Sequence, residues 1–283
     1  MFRQIFIFQA ALIAYHKTLN LAYASPIRGD KVVPVDENEF PFIVALDRKK
    51  NIVESGVDPF CGGTLIKPKL VLTIAHCLIG EQYDRVEILV GSSNLRSPKI
   101  HRYGVKSWIS QQTWAVMNNE LISGYPLDVS AIILLKMAVT EVEPVRLSRF
   151  EPSKLVGQVM VIAGWGNLDD NSKPINMHKV YATVLSTKEC KKKVKKFSRI
   201  FEKVVDHDSH ICTAAKPYAL GACGDSGDPI LNQNREIVGI HAGVCPNFEP
   251  IDPDQVNIAS SIYASQTFIE HVMKEDNTDS IFS

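Results

Sequence analysis

Short apolar runs rich in β-branched residues recur along this chain, each closed off by glycine, proline, asparagine or serine. Phe40 to Leu46, Thr64 to Ile66, Leu70 to Thr73, Val86 to Val90, Val129 to Leu135, Gln158 to Ala163 and Ile237 to His241 are of this kind. Such lengths suit strands, and Pro41 near the start of the first run stands where a strand tolerates a missing N–H. With few helical periods between them, the runs predict an all-β sandwich or barrel. One helix is expected near the end, over Ala264 to Lys274, where Phe268, Ile269, Val272 and Met273 share a face and Ser261 or Ser265 can cap it. No repeat of fixed period is visible.

The first residues belong to a different pattern. Arg3 precedes an apolar run from Ile5 to Tyr15 broken only by Gln9, and Ala22-Tyr23-Ala24 offers small residues at a cleavage site. This reads as a secretory signal over residues 1–24, cleaved after Ala24. A membrane anchor is the competing reading, but the run is too short to cross about 30 Å of hydrocarbon. Secretion makes disulfides the expected state of the six cysteines, and six allow 15 connectivities. Zinc would call for close Cys-x-x-Cys pairs, which are missing, so no metal is expected. Formal net charge is zero over 283 residues, which gives no overall pull toward nucleic acid or an anionic membrane. Lys191, Lys192, Lys193, Lys195 and Lys196 form a local basic run. It reads first as a solvated loop or short helix, and more sharply as a patch for a polyanion.

Three residues stand in settings that suit nucleophilic catalysis. A serine hydroxyl needs a histidine to take its proton, and that histidine needs a carboxylate to fix its tautomer. Ser226 lies in Gly224-Asp225-Ser226-Gly227-Asp228-Pro229, where small neighbours let backbone N–H groups converge on one point, as an oxyanion site requires. His76 ends the apolar run Leu72-Thr73-Ile74-Ala75 beside Cys77. Asp128 opens Val129-Ser130-Ala131-Ile132-Ile133-Leu134, so its charge is partly buried and needs a partner. Singly, these are also a turn serine, a core histidine and a strand-end aspartate. The α/β-hydrolase elbow Gly-x-Ser-x-Gly fails because position 228 is Asp.

Together, in the order His, Asp, Ser, they resemble the chymotrypsin-type serine peptidases. Cys61-Gly62-Gly63-Thr64-Leu65-Ile66, Thr73-Ile74-Ala75-His76-Cys77, Gly164-Trp165-Gly166 and Gly224-Asp225-Ser226-Gly227 carry the resemblance, which runs from Ile27 to Lys274 and is closest in pattern to invertebrate chymotrypsin-like enzymes. It implies two six-stranded antiparallel Greek-key barrels with a C-terminal helix. Barrel one would span 40–145 and barrel two 150–262, within a peptidase domain over 27–275. A short propeptide over 25–28 would precede that domain, and a tail over 276–283 would follow it. It implies His76, Asp128 and Ser226 as catalytic residues, and the N–H groups of Gly224 and Ser226 as the oxyanion hole. Asp225 becomes the aspartate that pairs with a freed N-terminus. The pairings Cys61–Cys77, Cys190–Cys212 and Cys223–Cys245 follow from the resemblance, as do protein or peptide substrates, macromolecular inhibitors and the lack of any cofactor.

Four positions depart from the family pattern. The candidate N-terminal end, Ile27-Arg28-Gly29-Asp30, follows Pro26 rather than a basic residue, so conventional zymogen activation does not fit. Cys223 abuts Gly224 with no residue between, next to an expected oxyanion donor; loss of one such donor costs about 10²–10³ in turnover. Asp228 replaces a glycine, brings a second carboxylate near Ser226, and is strained if its φ is positive. His241-Ala242-Gly243 stands where the family has Ser-Trp-Gly. The resemblance implies that Gly221 and Ala222 stand at the base of the substrate pocket, where trypsins have an acidic residue, and that Gly243 belongs to the same pocket; neither base residue carries an acid to bind Lys or Arg. Apolar or small P1 residues are therefore expected. Asp254 or Asn257 is available for the far wall, and local spacing does not choose between them. The chain reads as a secreted endopeptidase, or alternatively as a catalytically impaired homologue that binds protein partners.

Overall fold

The structure is a computed structural model that describes residues 32–49, 56–121, 129–167, 173–196, 205, 208–215, 220–221, 224–245 and 254–274, without the side chains of 244 and 245. Six strands close the first barrel: β2 (Ile43–Arg48), β3 (Pro59–Lys67), β4 (Leu70–Ile74), β5 (Val86–Val90), β6 (His101–Ser110) and β7 (Ser130–Leu135). They run antiparallel in the order β2-β3-β4-β7-β6-β5, with β5 returning to β2. A short edge strand, β1 (Val33–Pro34), joins the second barrel. That barrel comprises β8 (Val159–Gly164), β9 (His178–Val184), β10 (His210–Ala214), β11 (Pro229–Leu231), β12 (Ile237–Cys245) and β13 (Val256–Ser261). Its order is β8-β9-β10-β13-β12-β11, closed by the β11–β8 pairing, so both barrels repeat one Greek-key wiring.

Each barrel is filled by alternate side chains of its strands, as closure of a small barrel requires. Ile43, Leu65, Leu72, Ile88, Ile132 and Ile133 are buried in the first; Met160, Ile162, Val180, Ile211, Ile230 and Val238 are buried in the second. Among the described residues, four helices decorate them: α1 (Gln111–Asn118), α2 (Pro152–Leu155), α3 (Thr187–Lys195) and α4 (Gln266–Lys274). Ser110 caps α1 by accepting from the Thr113 N–H at 3.1 Å, and Asn119 ends it at φ 54°. The basic run lies mostly on α3, whose N-terminus carries a complete capping box between Ser186 and Glu189.

The C-terminal helix is the expected one, starting two residues later than the sequence suggests. Phe268, Ile269 and Val272 are buried and join the first barrel's core, although the second barrel supplies the chain that leads into them. Phe268 stacks against Trp114 of α1 with ring centroids 5.6 Å apart. Below that contact the buried hydroxyl of Ser265 lies 2.7 Å from that of Ser130 and donates to Gln111 Oε1 at 2.9 Å. Trp165 makes a further link between barrels, its indole N–H donating to the Ser93 carbonyl at 2.9 Å. Among the described residues no helix is long and apolar enough to cross a membrane.

Candidate active site

The site lies on the seam between the barrels. Strand β4 is buried to its last residue and then breaks into a single 3-10 turn over Ala75–Leu78, which lifts His76 out of the sheet half-buried. Two contacts fix that turn. Cys77 is bonded to Cys61 on β3, and the Ala75 N–H donates to the Val129 carbonyl at 2.8 Å. Val129 is the residue next to Asp128, which itself lies outside the described residues. A ring nitrogen of His76 lies within 4.8 Å of both cysteine sulfurs, yet these sulfurs are bonded to each other, so no thiolate is left to bind a metal.

Ser226 reaches the same seam from the second barrel. It is half-buried in the turn that precedes β11. The Gly62 N–H on β3 donates to its carbonyl at 2.8 Å, and Cys77 Sγ lies 3.5 Å from that oxygen. Because Cys77 is in a disulfide, this second approach is a packing contact. Gly224 and Gly227 hold φ of 97° and 88°, the left-handed region that glycine enters without penalty. A side chain on Gly227 would run into the Gly62 carbonyl and the Thr73 hydroxyl. That hydroxyl donates to the same carbonyl at 2.8 Å, and the Gly227 N–H donates to His241 O at 2.9 Å. The serine turn is thus stitched to both barrels.

Two carboxyls flank Ser226, and both are fully buried at 0% exposure. Asp225 Oδ1 accepts from the Gly166 N–H at 2.8 Å. Asp228 lies between Gly62 and Gly164, where a Cβ on either glycine would overlap its carboxyl oxygens. Its φ is not positive, so the strain that replacing a glycine could bring is not present. Burial, then the charge of Asp225, then a hydrogen bond to Asp225 raise the Asp228 pKa well above the usual carboxylate range.

His241, on β12, is 1% exposed, and its imidazole fills the space where a side chain on Gly221 would go. Neither ring nitrogen has a hydrogen bond of ordinary geometry, although Asn257 and the Asp225 backbone lie near enough to influence them. Burial first, opposed by Asn257 and reinforced by the charge of His76, brings its pKa down to about 4, so the ring is neutral at pH 7. Asn257 of β13 accepts from the Gly221 N–H at 2.7 Å and donates to Thr213 Oγ1 at 3.3 Å.

A family model described as Trypsin matches residues 31–264, most of the chain. The chain belongs to the trypsin family. Chymotrypsin-2 of Vespa crabro is 28% identical over 236 residues, covering 82% of this chain and 94% of that protein. Phenoloxidase-activating factor 3 of Holotrichia diomphalia is 27% identical over 216 residues, 70% of this chain, which spans only 58% of that relative's length. A solved structure of neuropsin, a serine protease expressed in the limbic system of mouse brain, superposes with a TM-score of 0.68 at 22% identity, covering 86% of this chain and 99% of the other.

Within this trypsin-family chain the structure brings His76, Ser226, Gly224, Asp225, Gly221 and Gly243 to the seam and the strands beside it. Asp128, Ala222 and Cys223 lie outside the described residues, as does the side chain of Cys245. The disulfides Cys61–Cys77 and Cys190–Cys212 are formed, with Cα atoms 6.1 Å apart in each. Of the two far-wall alternatives, Asn257 is the one against Gly221. Asp254 is drawn to the basic run instead, paired with Lys193 at 2.9 Å and with Lys196, which lowers its pKa to about 2. The glycine slot around Asp228 and the ring of His241 behind Gly221 have no signature in the spacing of the sequence; the replaced glycine at 228 and the lost Ser-Trp-Gly were the signals available.

Proposed function

We propose that this chain is a secreted serine endopeptidase in which Ser226 attacks a peptide carbonyl and His76 acts first as base and then as acid. Asp128 orients His76, and the N–H groups of Gly224 and Ser226 hold the oxyanion. The observation that carries this reading is the double pinning of the seam: Gly62 fixes the serine turn while Val129, the neighbour of Asp128, fixes the histidine turn. Residues 1–24 act as the secretory signal, cleaved after Ala24, and a short propeptide over 25–28 precedes the peptidase domain. Substrates are proteins or peptides with small or apolar P1 residues. Gly221 brings no charge, and the neutral His241 ring fills the space where a side chain on it would go. Macromolecular inhibitors bind the same cleft. Lys191, Lys192, Lys193, Lys195 and Lys196 offer a polyanion contact.

Covalent labelling of the purified protein with a fluorophosphonate tests this, with intact mass and N-terminal sequencing on the same sample. A mass gain abolished by Ser226→Ala is expected. A correctly folded, N-terminally processed protein that takes no label would overturn the reading. It would favour the second one, a homologue that binds partners without turnover, for which the imidazole packed behind Gly221 is the supporting observation.

A further inference from the structure

The two carboxyls beside Ser226 share one slot. Its walls are glycines contributed by different elements: Gly62 from β3, Gly164 at the end of β8, and Gly166 just beyond it. A Cβ on Gly164 would overlap Asp228 Oδ2 and lie 2.9 Å from Asp225 Oδ1, so the two side chains meet over that one backbone position. Asp225 has a donor in the Gly166 N–H. Asp228 has only the Asp225 carboxyl: among the described residues neither of its oxygens accepts from an N–H or hydroxyl, and both are sealed from solvent. Two carboxylates cannot share such a slot, because each is deprived of water and each repels the other. A proton on Asp228 removes the repulsion and turns an orphan acceptor into a donor facing the carboxylate that already has a partner.

The other groups around the slot leave this arrangement intact. Strands β3 and β4 present Gly62 and Thr73, which carry no charge, and β8 presents Gly164. From β12 comes His241, neutral at pH 7, whose backbone N–H donates to the Asp228 carbonyl at 2.8 Å. On β9, His178 is paired opposite Gly164, and burial, opposed by a backbone hydrogen bond at Asn176, lowers its pKa. His76 on the 3-10 turn is a further titratable group at the seam. The backbone closes the turn as well, the Asp228 N–H donating to the Asp225 carbonyl at 3.1 Å around Ser226.

We propose that Asp228 is a positioning residue, protonated at neutral pH, whose carboxyl donates to the Asp225 carboxylate and locks the serine turn from within, so that the turn is ordered without a freed N-terminal ammonium. The pair replaces an external cation with an internal proton. It also accounts for a chain whose candidate N-terminal end lacks a basic residue before it. The activity readout rests on the proposed role of Ser226; the protonation state does not.

The experiment uses the secreted chain that begins at Ser25. Infrared difference spectra between wild type and Asp228→Asn at pH 7 should contain the carbonyl stretch of a buried neutral carboxyl. Its absence overturns the proposal whether or not Ser226 is reactive. If the band is present and neither protein takes a fluorophosphonate, the shared proton stands and the endopeptidase reading fails. Where labelling occurs, Asp228→Ala should slow it by about 10²-fold, the scale of losing a well-aimed oxyanion donor. Asp228→Asn, which keeps a neutral donor of the same size, should rescue it. The wild type should also lose labelling at alkaline pH through an ionisation that Asp228→Asn lacks. Equal labelling by wild type and Asp228→Ala, or an alkaline limb unchanged in Asp228→Asn, overturns the positioning role.

Discussion

His241 shows how one residue can be read in two ways. In the sequence it is the first residue of an altered pocket segment. In the structure it is a buried base with two unused nitrogens, held neutral by the cost of charging it away from water. Its folded pKa of about 4 lies below the unfolded value near 6.5, so below pH 6.5 the unfolded chain takes up a proton that the folded chain refuses. Stability from this group is present above pH 6.5, declines as pH falls toward 4, and levels off beyond. The decline should total about 3 kcal/mol, at 1.36 kcal/mol for each pKa unit. Thermal unfolding from pH 7 to pH 4 should show it as a falling Tm, and His241→Val should flatten that slope whatever it does to the starting Tm. An equal slope in both proteins would place the acid sensitivity elsewhere.

At the scale of elements, the attachment of α4 to the first barrel is the clearest case of sequence and structure agreeing. The face of Phe268, Ile269, Val272 and Met273 is legible as a helical stripe; the first three are buried and Met273 is partly buried against the same core. Phe268→Ala should destabilise the fold by about 3–5 kcal/mol, since the Trp114 contact goes with it and a cavity remains. Urea denaturation with an unchanged m-value would measure this, whereas a loss below about 1 kcal/mol would mean that the helix end is not part of the cooperative unit. Strands were legible where both faces are buried. The runs at β4, β5 and β7 are apolar nearly throughout, and the structure places strands there with boundaries shifted by a residue or less. Strand β6 went unread because only Tyr103, Val105, Ser107 and Ile109 point inward, while arginine, lysine and a glycine occupy its other face. Strand β13 hid for a different reason: Asn257, Ser260 and Ser261 are buried polar residues, and for Asn257 the cost is offset by partners that sequence cannot display, Gly221 and Thr213. Helix α1 depends on its Ser110 cap and on Trp114 packing under α4, both tertiary outcomes.

The whole molecule makes a site only because two similarly wired barrels meet. His76 belongs to the first and Ser226 to the second, and the family resemblance placed both at the seam where the structure has them. What it could not supply is how tightly the seam is packed, since that depends on atoms from strands far apart in sequence. Gly227 is where this is most exacting. It needs a positive φ, and a methyl group there would meet the Gly62 carbonyl and the Thr73 hydroxyl at once, both backed by β3 and β4. Gly227→Ala should therefore push the serine turn away from the first barrel while leaving both barrel cores filled. We expect fluorophosphonate labelling to fall by about 10²-fold or more, on the scale set by a misaimed oxyanion donor, with far-UV circular dichroism unchanged and Tm lowered. Labelling retained at the wild-type rate would mean that the seam tolerates a displaced turn, and that reactivity is set within the second barrel alone. Loss of both labelling and circular dichroism would instead show that neither barrel persists without the contact at Gly62, making the seam a condition of folding as well as of chemistry.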